Sequence, residues 1–84
     1  MTDEAKTRGQ RLDLRGVACP LTFVRTRLAL NHLQVGDTLE VLLDEGEPAE
    51  SVPQSCAEDG EEVLALGPWT EAGVVRLVVA RRSA

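Results

Sequence analysis

The chain has 84 residues, 43% of them hydrophobic, a formal charge of −5 and two aromatic side chains, Phe23 and Trp69. A chain of this length buries roughly 60 to 65% of its extended surface, which suits one small core and excludes a second. The acidic balance disfavours a grip on nucleic acid, which needs a basic face.

The first ten residues, MTDEAKTRGQ, are polar and mixed in charge and read as a flexible tail ahead of a single domain over 11–82. They hold no apolar run for a signal peptide or a membrane span, so the expected location is cytoplasmic, with no membrane partner. In that reducing compartment the two cysteines, Cys19 and Cys56, are expected as free thiols rather than a bridge.

Arg11 to Arg15 alternates as a half-buried strand with Leu12 and Leu14 inward. Gly16, Val17 and Ala18 form a small-residue loop that delivers Cys19. Pro20 suits the first position of a helix, where its missing N–H has no partner to lose, and this makes Cys19 the cap residue. Leu21, Val24 and Leu28 recur at helical spacing and are expected to face the core, with Phe23 and Leu33 beside them and Arg25, Arg27 and Asn31 outward. The helix ends near Leu33, ahead of a turn at Val35-Gly36-Asp37.

Thr38 to Leu43 is a second strand, with Leu39, Val41 and Leu43 on one face and Glu40 and Leu42 on the other. After an acidic turn at Asp44 to Glu47, a second helix starts at Pro48 and stops at Gly60, with Pro53 expected to bend or split it. Glu61 to Leu66 and Gly73 to Arg81 form an antiparallel hairpin. The order predicts an α+β two-layer sandwich, βαβαββ, in which two helices cover one face of a four-stranded mixed sheet. Leu42, Leu64, Val74 and Val78 would then point to the open face, where scattered apolar surface is the expected reading and a covering partner or second copy the other.

Position gives Cys19 its chemistry. Thiolate is the reactive form of cysteine, and the unpaired amides and positive dipole end of a helix's first turn favour it by roughly 1 to 2 kcal/mol, about one pKa unit. Arg15, Arg25 or Arg27 adds to this if the fold brings one near. Cys56 shares the apolar face of the second helix with Ala49 and Val52 and reads as a buried structural thiol, the alternative being a secondary acceptor. His32 lies roughly 20 Å along the first helix from Cys19, too far to serve as its base. The sequence lacks a zinc-spaced ligand set and a phosphate loop, so neither metal nor cofactor is expected. The acidic runs Asp44-Glu45-Glu47-Glu50 and Glu58-Asp59-Glu61-Glu62 read as solvated faces. Trp69 is either a lid on the sheet or a partner contact.

Leu12-Asp13-Leu14-Arg15-Gly16 running into Cys19-Pro20, with the Leu33 to Gly36 turn and the strand after it, resembles the TusA-like (SirA- or YeeD-like) family of small sulfur carriers. The resemblance covers roughly Arg11 to Arg82 and implies the same two-layer fold. It also implies that Cys19 carries sulfur as a persulfide, supported by Pro20, Leu21, Thr22, Arg15 and Arg27. The implied donor is a cysteine desulfurase or rhodanese-like protein and the acceptor a thiol protein, in tRNA thiolation, molybdenum-cofactor supply or sulfur oxidation. On this reading the chain is a sulfurtransferase-type carrier, a monomer or weak homo-oligomer that relies on partners for catalysis. The family motif has a second proline where this chain has Thr22, which restores an amide, so a hydrogen bond is expected from the Thr22 or Leu21 N–H toward the Cys19 sulfur. The alternative is a regulatory or interaction module of the same fold without sulfur relay.

Overall fold

A computed structural model describes residues 9–18 and 20–83. The elements run β1 (Gly9–Asp13), α1 (Leu21–Asn31), β2 (Thr38–Asp44), α2 (Glu47–Glu58), β3 (Glu62–Pro68) and β4 (Val74–Ala80). The four strands form one mixed sheet in the order β1-β2-β4-β3. β1 lies parallel to β2, a pairing that requires a crossover and receives it from α1; the other pairings are antiparallel. The expected α+β sandwich of order βαβαββ is therefore the observed fold.

Period-2 patterning sets the register. Leu39, Val41 and Leu43 stand opposite Val79, Leu77 and Val75. With Leu14, Leu30, Val52 and Cys56 most of these form the core beneath the helices. β1 starts earlier than the alternation suggested, taking in Gly9 and Gln10 and ending at Asp13.

Three local expectations need correction. α1 turns the other way: Thr22, Thr26 and Leu30 are buried, whereas Leu21, Val24 and Leu28 are 50%, 44% and 55% exposed. The inward threonines are small enough for close approach to the sheet, and the Thr26 hydroxyl donates to the Thr22 carbonyl at 2.8 Å, so its burial leaves no orphan. α2 runs unbroken through Pro53, which lies buried beside Val52 and Cys56. It stops in a Schellman turn, Gly60 N–H to Ala57 O and Glu61 N–H to Cys56 O, both 3.0 Å, made possible by the positive φ of +93° at Gly60.

The third correction concerns the open sheet face. Leu42 and Val74 are buried, 1% and 4% exposed, while Leu64 is exposed. The residues after β3 supply the cover: the Trp69 ring lies 5.6 Å and 5.4 Å from the guanidinium carbons of Arg11 and Arg15, which project from β1 and the loop after it. A ring that begins beside β3 and meets arginines from β1 lies over the intervening strands, and this accounts for the burial without a partner. Beyond the ring, Glu40 accepts from Arg11 at 2.6 Å and from Arg76.

Candidate functional site

The strand-to-helix junction is held by its own backbone and by three carboxylates, Asp13, Asp44 and Glu71. Leu14 N–H donates to Leu42 O (2.9 Å) and Val17 N–H to Leu14 O (3.1 Å), so the turn stays tied to β2. Gly16, at φ +80°, aims its N–H at Asp44 Oδ2, 2.8 Å away at the end of β2. Arg15 grips Asp13 through two bonds of 2.8 and 2.6 Å and also pairs with Glu71 in the β3–β4 loop. Hydrogen bonding from Arg15 holds the Asp13 carboxyl down at about 2.

Helix α1 starts one residue later than expected. Pro20 is the cap, at φ −90° and ψ 8°, and its carbonyl accepts from the Phe23 and Val24 amides. The Leu21 amide donates to Ala18 O at 3.0 Å. Cys19, and with it the expected bond to its sulfur, lies outside the described residues. Its chain neighbours on either side, Ala18 and Pro20, are both exposed, as is Leu21. Thr22 is fully buried and serves the helix packing.

The other expected participants are placed elsewhere. Arg27 turns from the junction to the far end of α2, pairing with Asp59 (3.1 Å) and Glu61 (2.7 Å). Cys56 is wholly buried, and burial pushes its thiol up to about 11, leaving it neutral. His32 is the exposed C-cap of α1, whose last carbonyls are satisfied by Arg81: its Nη1 donates to Leu30, Asn31 and Leu33 oxygens at 2.7–2.9 Å.

Three residues escaped the reading of the sequence: Asp44 and Glu71, which brace the junction, and Glu61; Trp69, expected as a lid on the sheet or a partner contact, lies against Arg11 and Arg15 as a lid would. Glu61 belongs to a run expected to be solvated, yet its side chain has no exposure. Burial by itself would raise the Glu61 carboxyl; the Ser83 hydroxyl, the Arg82 and Ser83 amides and Arg27 outweigh it and hold it at about 2. The one sequence signal for Glu61 is its place directly after the helix-stopping Gly60. Among the described residues no cluster of three or more His, Cys, Asp or Glu side chains could hold a metal, and no helix is long and apolar enough to cross a membrane.

A family model described as "Sulfurtransferase TusA" matches residues 10–81. A relative in Archaeoglobus fulgidus, named "Putative sulfur carrier protein", is 40% identical over 55 residues, 66% of this chain and 62% of its own length. One of the same description in Neisseria meningitidis serogroup A is 35% identical over 68 residues, covering 81% of this chain and 89% of the relative. The crystal structure of a SirA-like protein from Desulfitobacterium hafniense superposes with a TM-score of 0.69 at 22% identity, over 88% of this chain and 99% of that one, which is a likeness of fold. Matched from the second residue of β1 to the residue after β4, this chain belongs to the TusA sulfurtransferase family.

Proposed function

We propose that this protein carries sulfane sulfur on Cys19 between a donor and an acceptor protein. The thiolate of Cys19 attacks the outer sulfur of a donor persulfide. The donor S–S bond breaks, the donor leaves as a thiolate, and Cys19 becomes a persulfide. An acceptor thiolate then attacks that terminal sulfur and Cys19 leaves as the thiolate, so sulfur moves with no net oxidation. Donors of the cysteine-desulfurase or rhodanese type and a thiol-bearing acceptor suit this chemistry, as does the cytoplasm.

The observation that carries the reading is the family match over residues 10–81, with Cys19-Pro20 leading into the helix. The braced junction supports it, because a nucleophile handed between proteins needs a fixed approach. Burial of Cys56 leaves Cys19 as the thiol available for transfer.

The test is intact mass after incubation with inorganic polysulfide. The protein should gain sulfur that a reductant removes, Cys19→Ala should gain none, and Cys56→Ala should load like the wild type. An unchanged wild-type mass, or sulfur retained by Cys19→Ala, refutes the relay.

A further inference from the structure

Helix α1 leaves an apolar stripe facing solvent. Leu21, Val24 and Leu28 are each about half exposed and lie in one line along the helix. The core does not need them, since Thr22, Thr26 and Leu30 fill the inward side. Single exposed leucines mean little, but three in register, beginning two residues after Cys19, form a contiguous patch.

Arg25 lies within this stripe. Among the described residues it is the one arginine whose side chain takes part in no ion pair or hydrogen bond: Arg11, Arg15, Arg27, Arg76 and Arg82 are held by carboxylates and Arg81 by helix carbonyls. No residue of α1 is acidic, in a chain whose net charge is −5.

We propose that this stripe is the docking face for the protein that exchanges sulfur with Cys19, and that the partner presents an apolar surface bordered by a carboxylate that pairs with Arg25. The proposal rests on the relay reading above. A second copy fits poorly: two-fold contact through the stripe would set Arg25, midway between Leu21 and Leu28, near the axis and against its own equivalent. Three side chains also cover much less than the roughly 800 Å² per partner of a stable interface, which places the contact among transient ones, as a carrier requires.

The probe is a helical peptide with leucines at i, i+3 and i+7 flanked by glutamates, compared with a twin carrying lysines in place of the glutamates, titrated into labelled protein and followed by NMR. The glutamate peptide should shift the amides of residues 21–28 and bind roughly five- to tenfold tighter than its twin at low salt. Leu28→Glu should weaken it about tenfold or more, and Arg25→Glu should reverse the preference between peptides. Both positions are exposed, and amide dispersion checks that each variant is folded. Equal binding of the twins, shifts centred outside α1, no binding, or self-association lost in Leu28→Glu would each overturn the proposal. Polysulfide loading of the same samples separates the two readings: failure to load sinks the relay, while normal loading without selective binding sinks the docking face alone.

Discussion

Replacing Glu61 with glutamine should destabilise the fold more than any change to the exposed carboxylates. Its oxygens accept Arg82 N–H at 2.7 Å, Ser83 N–H at 3.1 Å, Ser83 Oγ at 2.6 Å and Arg27 Nη2 at 2.7 Å, with no solvent on the side chain. Glutamine keeps the shape but loses the charge, and its NH2 group must meet donors where an oxygen stood. The carboxyl falls from 4.5 to about 2 on folding, equivalent to about 3 kcal/mol at neutral pH. Breaking one partner of a buried pair costs a similar amount, and in a domain of this size about 3 kcal/mol lowers Tm by roughly 12 to 24 °C. A carboxyl depressed by folding stabilises fully above its unfolded pKa and loses that contribution as pH falls toward the folded value. About 3 kcal/mol at pH 7 should shrink to about 1.5 kcal/mol at pH 3, and Glu61→Gln should lack this component. Urea titration of both proteins at pH 7 and pH 3, read by Trp69 fluorescence, measures both quantities. A difference under about 1 kcal/mol at pH 7, or one that does not narrow at pH 3, refutes the reasoning.

Trp69→Ala uncovers Leu42 and Val74 and removes the ring beneath two guanidiniums; the half-buried site should cost about 2 kcal/mol in urea midpoints, with Leu42 becoming accessible by NMR. Asp44→Ala strips the acceptor from Gly16 N–H, so that amide should lose hydrogen-exchange protection while the middle of β2 keeps its own, at about 1 kcal/mol in stability. Cys56 should resist iodoacetamide in the native protein at pH 8 and react on unfolding, and Cys56→Ser should cost about 1–3 kcal/mol by placing a hydroxyl among apolar neighbours.

Element order and the inward face of β2 were legible because Leu39, Val41 and Leu43 alternate cleanly and turn residues separate the elements. The facing of α1 was not. Its apolar residues surround the helix, and the i, i+3, i+7 set that periodicity selects is the one left outside. Small hydroxyl residues can line a close helix–sheet contact when the hydroxyl bonds back to its own helix, as Thr26 does, and a hydrophobicity pattern has no means of registering that. Pro53 does not split its helix for a different reason: tertiary packing beside Val52 and Cys56 overrides the local cost of one missing hydrogen bond. Leu42 depends on a side chain 27 positions later, Trp69, and Glu61 on Arg27, Arg82 and Ser83. Such long-range partners are set by topology. At the junction, the glycine turn and the proline-led helix were readable, whereas the braces at Asp44 and Glu71 come from strands that meet it only in space.

Arg81, donated from just beyond β4, closes the end of the first helix, and β4 itself occupies an interior place in the sheet although it is made last. During synthesis, then, the first helix has its local His32 cap but lacks the Arg81 guanidinium on its last carbonyls until the segment after β4 has left the ribosomal exit tunnel. The nascent chain should acquire protease resistance in one late step, once β4 can insert between β2 and β3, rather than segment by segment.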